Sequence, residues 1–389
     1  MSSTVPATAA VVIVGAGPAG LTAAITLADA GADVVLLDRL AAGANTSRAA
    51  VVHARTLEVL DELGIATTLR DLGLEVPRFV MYEGADRLTT IGFSELPTPF
   101  PYTLMIGQET TEAVLLDRLR RAGGTVVRPV EVTEVIPGGE FVTVEFTDAT
   151  GQSGSIRAGY VIGADGMHSR VREAAGIGFT GATYPESFVL ADVRMDWPAS
   201  RDEVSLHVSP EGIVVVAPLP DTEHDRFRIV ATVAEAPEHP TRAQVQALLD
   251  ARCPGATVRE VLWSSRFRVH HRVADRYRAG RILLAGDAAH VHSPAGGQGM
   301  NTGIQDAALL GTLLARVLRG EPDVLLDDYE RTRRPVALDV VAFTDRMTRM
   351  ATLRPRPARV LRNTAIRLVT RIPAVRTALA YRLAELANR

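Results

Sequence analysis

The chain opens with an unbroken apolar run at residues 9–14 (AAVVIV), then a glycine-broken turn from Gly15 to Gly20, then a stretch of helical period over residues 21–30. An uninterrupted apolar run is what a strand covered on both faces of a parallel sheet requires. Gly31 is placed to close the helix, and residues 33–37 (DVVLL) read as a second buried strand ending at Asp38, which completes a βαβ unit. Downstream, the pattern predicts helices over 56–63, closed by Gly64, and over 109–122, followed by a strand at 125–127. Alternation of apolar and polar positions marks half-exposed strands at 131–135, 141–146 and 155–158, and the run 160–163 returns to the buried type.

From residue 188 to 233 the texture changes to alternating strands punctuated by Pro and Gly, at 203–208, 213–216 and 226–232, as in an antiparallel sheet. The apolar run 281–285 restores the first pattern, followed by a glycine-rich turn and a helix over 303–318. The expected fold is therefore α/β, a Rossmann-like domain on a parallel sheet with an antiparallel sheet inserted into it. Its expected boundaries are 1–82, 101–180 and 271–337 for the discontinuous first domain, and 83–100 with 181–270 for the inserted one. A helical, arginine-rich tail over 338–389 is interrupted by Pro355, Pro357 and Pro373. Its apolar stripe is expected to pack on the protein, with arginine stems covering the rim, in preference to lying on a membrane surface.

Composition narrows the chemistry by exclusion. With 389 residues, 47% of them hydrophobic and 22% charged, the chain can bury a sizeable core and is not disordered. A net charge of −3 offers no overall basic field to nucleic acid. The one cysteine, Cys253, permits no internal disulfide and no iron–sulfur cluster. All 42 basic residues are arginine, which removes Schiff-base chemistry, pyridoxal phosphate attachment and the phosphate-binding lysine of a P-loop. The first ten residues lack a basic leader and no run of about 20 apolar residues occurs, so a cytoplasmic protein without a membrane span is expected.

Three glycine-bearing motifs carry the chemistry. In Gly15-Ala16-Gly17-Pro18-Ala19-Gly20 the glycines suit a tight turn, close approach of backbone to a pyrophosphate, and close packing of helix on strand. Asp38 closes the second strand where an acid reaches a ribose hydroxyl. The stretches YVIGADGMHSRVR (160–172) and RILLAGDAAHVHSP (281–294), the second running on into AGGQGMN, each put an aspartate at the carboxyl end of a strand, where open α/β sheets bind ligands.

At these separations the three motifs, with YERTRRP at 329–335, resemble the class A FAD-dependent aromatic monooxygenases of the para-hydroxybenzoate hydroxylase type. By that resemblance Gly15, Gly17, Pro18, Ala19, Gly20, Asp38 and Arg39 hold the ADP half of a non-covalent FAD. Asp165 serves both FAD and NAD(P)H, and Gly286 and Asp287 meet the ribityl chain. The segment 294–301 lies along the flavin ring: Pro294, Gly296 and Gly297 form the ring environment, Gly299, Met300 and Asn301 continue it, and its backbone N–H groups stabilise negative charge on the reduced ring. Arg48 and Gln108 are implied as further FAD contacts.

The resemblance implies that NAD(P)H reduces FAD and that oxygen forms a C4a-hydroperoxide. Its distal oxygen then hydroxylates a phenol or a polycyclic, polyketide-like aromatic, with no side-chain nucleophile and no metal. Epoxidation, Baeyer–Villiger oxidation and a non-redox FAD-containing binding protein are the alternatives. The chain is expected to lack the C-terminal thioredoxin-like domain of many long relatives, and the oligomeric state is open. His290 and His292, two apart in a turn, are too few for a metal site. Of Tyr184, Phe188, Trp197, Trp263 and Phe267, one or two are expected to line a substrate pocket.

Overall fold

The computed structural model describes residues 5–43, 49–293, 296–351, 353 and 355–389. Two eight-stranded sheets organise it, with a small three-stranded sheet, Val51–Val52, Leu74–Val76 and Thr103–Met105, interleaved with them along the chain. In the first, the strands Ile282–Leu284, Ser153–Gly163, Thr8–Val14, Val34–Leu37 and Val126–Val127 run side by side and parallel. Their core positions are fully covered, as the unbroken apolar runs demand: Val11, Val12, Ile13, Leu37, Val161 and Leu283 have no exposed surface. The strand Ser153–Gly163 does two jobs. Its first half pairs antiparallel with Val142–Asp148 while its second half joins the parallel ladder, so the two runs read separately from the sequence form one element.

Register sets the level at which this sheet ends. Val14 is opposite both Gly163 and Leu37, and Gly163 is opposite Leu284. The ladder is carried one step further by Gly15 N–H to Leu37 C=O at 2.8 Å, Ala164 N–H to Val14 C=O at 2.8 Å and Ala285 N–H to Gly163 C=O at 2.9 Å. All three glycine-bearing motifs therefore leave the sheet along one edge.

The second sheet runs His290–Val291, Thr257–Ala274, Phe179–Asp196, Arg226–Val233, Gly212–Pro218, Glu203–Ser209, Arg78–Glu83 and Asp86–Gly92. It is antiparallel except where Glu203–Ser209 meets Arg78–Glu83. The short strand His290–Val291 follows directly from the turn at Gly286 and pairs with Arg272 and Val273, so one segment stitches the two sheets together.

Helices begin earlier than the apolar period alone indicates. The first is Pro18–Asp29, because a proline is at home where the helix has no N–H to satisfy. The long helix Gly299–Leu318 starts inside the glycine-rich turn, and the helix read over 109–122 runs Gln108–Arg121. The helix Asp327–Ala351 runs through Pro335, while Pro355, Pro357 and Pro373 open or precede the helices Arg356–Val369 and Pro373–Leu383. The tail divides its packing. Ile366 rests on the second sheet's cluster, while Leu383 and Leu386 join the core that holds Val11 and Ile13.

Helices Pro18–Asp29 and Gly299–Leu318 pack against each other, and at Gly311 the fit is tight, since an added Cβ would come within 2.8 Å of the Thr26 Cβ. We expect Gly311→Val to destabilise the protein by about 1–3 kcal/mol through overpacking, measured by urea denaturation. Thr312→Ala, one residue along on the exposed face, is expected to stay within about 0.5 kcal/mol of wild type.

Candidate active site

A cavity of about 820 Å³ opens along the carboxyl edge of the parallel sheet and extends over the face of the second sheet. Of the residues named from the sequence, Gly17, Pro18, Ala19, Arg39 and Gln108 line it, as do Gly286, Asp287, Gly296, Gly297, Gly299 and Met300. Gly15, Gly20, Asp38, Asp165 and Asn301 lie behind this lining and shape it. Arg48 and Pro294 are outside the described residues.

The residues behind the lining show why the loops hold their form. Gly15 has φ +100° and its Cβ would strike the Ala164 carbonyl oxygen at 2.3 Å; a Cβ on Gly20 would strike the Gly15 carbonyl oxygen at 1.9 Å. Gly17 has nothing within 4 Å of that position, so its glycine serves the open space in front of it rather than the packing behind. Asp38 clamps the turn, its carboxylate accepting from Ala16 N–H and Leu40 N–H, both at 2.7 Å. Two carboxylate oxygens offer about four lone-pair directions, so acceptor capacity is left for a ribose hydroxyl.

Asp165 accepts from Val171 N–H at 3.2 Å while its Oδ1 is buried without a partner, and burial pushes its pKa up against the hydrogen bonds from Ser169 and Val171. Asn301 is a clamp. It accepts from His53 N–H at 2.8 Å and donates to Val51 C=O at 3.0 Å and Gly297 C=O at 2.8 Å.

Two helix ends face the cavity. In Pro18–Asp29 the first intrahelical bond is Leu21 N–H to Gly17 C=O, and in Gly299–Leu318 it is Thr302 N–H to Gln298 C=O. The N–H groups before them have no intrahelical partner and carry the positive end of the helix dipole. One end fits a pyrophosphate and the other an anionic ring edge. An FAD fits this donor set: open space at Gly17, Arg39 beside it, Gly286 and Asp287 in the middle, and the helix start at Gly299 and Met300 beyond.

The far part of the cavity is apolar. Phe188 and Phe267 line it, stacked with centroids 5.7 Å apart, together with Leu190, Leu206, Ile213 and Val215. Trp197 packs instead on Phe227 and His207, Trp263 is not in the lining, and the Tyr184 side chain is outside the description. Two arginines of the second sheet line the cavity with them, Arg268 and Arg228; the Nε and Nη2 of Arg228 grip Asp192 at 2.6 and 2.9 Å and its Nη1 donates to Ala49 C=O at 2.9 Å.

Three further groups position the site. Arg172 donates to Met167 C=O at 2.9 Å and Ala288 C=O at 3.1 Å, tying the second motif to the third. His290 meets Asp306 at 2.6 Å, Asp306 also binds Arg333, and the Tyr329 hydroxyl donates to Leu284 C=O at 2.7 Å, so YERTRRP braces the strand that carries the third motif. His53 Nε2 donates to Gly296 C=O at 2.7 Å, which leaves Nδ1 bare, buried and unpartnered. Burial holds the His53 and His292 pKa values down at about 4. Arg172 and Arg333 sit inside stretches singled out from the sequence, whereas Asp192 and Arg228 come from different strands and had no spacing to betray them.

We expect Gly17→Val to leave the melting temperature of the FAD-free protein unchanged while lowering FAD affinity at least about tenfold, read by flavin fluorescence titration. Between pH 6.5 and 4 the unfolded chain takes up a proton at His53 that the folded chain refuses, so stability is full above pH 6.5 and falls as pH drops through that window. His53→Asn is expected to reduce the slope of unfolding free energy against pH there by up to about 1.4 kcal/mol per pH unit.

Comparison with known proteins agrees with this geometry. A family model described as FAD binding domain matches residues 8–344. The chain is 38% identical to a flavin-dependent monooxygenase of Mycobacteroides abscessus over 86% of this chain and 73% of that one. It is also 38% identical to 6-methylpretetramide 4-monooxygenase of Streptomyces rimosus, over 88% of this chain and 62% of that one. The crystal structure of p-nitrophenol 4-monooxygenase from Pseudomonas putida superposes with a TM-score of 0.88 at 28% identity, covering 98% of both chains.

Proposed function

The chain belongs to the FAD binding domain family, among the class A flavin-dependent aromatic monooxygenases, and from that premise we propose that it hydroxylates a phenolic or polycyclic, polyketide-like aromatic. In the proposed reaction O2 and NAD(P)H are co-substrates: one oxygen atom enters a ring C–H bond, the other leaves as water, and NAD(P)H is oxidised to NAD(P)+. The observation that carries this reading is the continuity of one cavity from the glycine cradle at Gly17 to the apolar chamber at Phe188, Leu206 and Phe267. Bound in the cradle formed by Gly17, Arg39, Gly286 and Gly299, FAD would supply the redox chemistry that couples NAD(P)H to oxygen.

The chain's own groups bind, orient and exclude water. The helix end at Gly299 offers N–H donors to a developing anion without reorganisation, as electrostatic stabilisation requires. The Gly296–Gly297 backbone holds its shape because Asn301 and His53 grip it from behind. Around the substrate the side chains are aliphatic and aromatic, which keeps water from the reacting ring. Arg228, fixed in place by Asp192, offers a positive charge to an oxygen substituent of the substrate and so orients it.

The test is the visible spectrum of the FAD-loaded protein during anaerobic addition of NADH or NADPH, with and without a panel of phenols, followed by mass spectrometry after air is admitted. We expect bleaching that one class of phenols accelerates and a product one oxygen atom heavier. A flavin that neither nicotinamide reduces with any phenol present would sink the monooxygenase and favour a non-redox binding protein. Leu206→Trp fills the apolar chamber, and we expect it to keep its FAD while raising KM for the aromatic at least about tenfold.

A further inference from the structure

The helix Arg356–Val369 has an inner and an outer face. Inside, Arg362 is buried and donates to Met350 C=O at 3.2 Å, to Ala351 C=O at 3.4 Å and to Glu83 at 3.2 Å, while Ile366 packs on the second sheet. Outside, Val360, Leu361, Leu368 and Val369 are exposed by 59%, 72%, 55% and 47%, and Ile372 at the following bend by 53%. Val360, Leu361, Ala365 and Leu368 follow helical spacing on one face, with Thr364 among them, and Ile372 stands just past the helix end. Apolar groups gathered in this way on a surface call for a covering partner.

Charge says which partner. Between Arg346 and Ala384 the sequence holds ten arginines and no Asp or Glu, in a chain whose net charge is −3. Several arginines are matched from other elements: Arg362 by Glu83, Arg367 by Asp86 and Arg382 by Asp339. Arg356, Arg371 and Arg376 are exposed and stand three or four positions from Val360, Leu368 and Ile372, at the border of the stripe. A second copy docking by the same face would set these arginines against their own equivalents, with no carboxylate in the segment to separate them. An anionic lipid surface satisfies both halves, taking the apolar stripe among its acyl chains and the arginines at its headgroups.

We propose that the outer face of the helix Arg356–Val369, with Ile372, docks this enzyme on an anionic bilayer. The contact is interfacial: among the described residues no helix is long and apolar enough to cross a membrane. The docked element lies one step from the catalytic cavity, because Arg362 holds the carbonyl of Ala351 and Ala351 lines that cavity. The inference stands apart from the proposed reaction, since it needs neither flavin reduction nor an aromatic substrate.

The experiment is co-sedimentation of the full FAD-loaded chain with phosphatidylcholine vesicles and with mixed phosphatidylcholine–phosphatidylglycerol vesicles, alongside light scattering for mass. We expect sedimentation with the mixed vesicles alone, weakened by high salt. Leu361→Asp with Leu368→Asp should abolish it, and Arg371→Gln with Arg376→Gln should lower partitioning roughly fivefold per arginine. FAD content and melting temperature should match wild type in all variants, because these side chains are exposed; Leu361→Ser is the milder substitute should the double aspartate lose its fold. Failure to bind mixed vesicles, equal binding to both kinds, wild-type binding by the leucine variants, or a wild-type dimer that those variants split would each overturn the proposal.

Discussion

The carboxylate of Asp306 is the point on which the site depends. It has no exposed surface, accepts from Arg333 and meets His290 at 2.6 Å, and thereby joins the long helix, the strand His290–Val291 within the third motif and the helix Asp327–Ala351. Gln305, its neighbour, extends the network to Thr56 and Glu385. Burial pushes the Glu385 carboxyl up to about 8, so at neutral pH it enters the network mostly as a neutral acid. The interior then holds one carboxylate against one guanidinium there, rather than two. Removing one member of such a pair leaves the other charged and dry, an error of about 3–5 kcal/mol, so the braces around the cavity stand or fall together.

From that hub outward, the cavity divides by chemistry. At the sheet edge the lining is glycine, backbone N–H groups and Arg39, the equipment for phosphate and for a polar ring edge. Over the second sheet it becomes largely phenylalanine, leucine and isoleucine, with Arg228 held in place by Asp192 among them. The strand His290–Val291 is the hinge of this division. It begins at the turn that carries Asp287 and ends paired to the sheet that carries Phe267.

Much of this was legible in the sequence because its causes are local. A strand covered on both faces must be apolar throughout, and residues 9–14 and 281–285 are. A backbone that must touch another backbone must be glycine, and Gly15 and Gly20 do so. What stayed hidden is what only the third dimension brings together. The pairing of Asp192 with Arg228 joins two strands, and the role of YERTRRP as a brace depends on Asp306 far upstream in another helix. Asp38 was legible as a residue, but not the clamp it makes on Ala16. The helix Asp327–Ala351 passes through Pro335 and takes in the YERTRRP stretch, so it begins well ahead of the helical tail read from residue 338.

The position of Ile282–Leu284 beside Ser153–Gly163 also bears on how the chain is made. As synthesis proceeds, the first sheet reaches Gly163 still short of its last two strands, Arg278–Ala279 and Ile282–Leu284, while the strands from Phe179 to Ala274 emerge. Those strands fold beside a platform whose bare ladder is still open, a state prone to wrong pairing until the right partner arrives. Closure comes late and from afar, with Tyr329 seated on Leu284 and Leu386 in the core shared with Val11. Completion of the sheet therefore depends on pairing between segments far apart in the chain, the class of contact whose loop-closure entropy has to be met before it brings any gain.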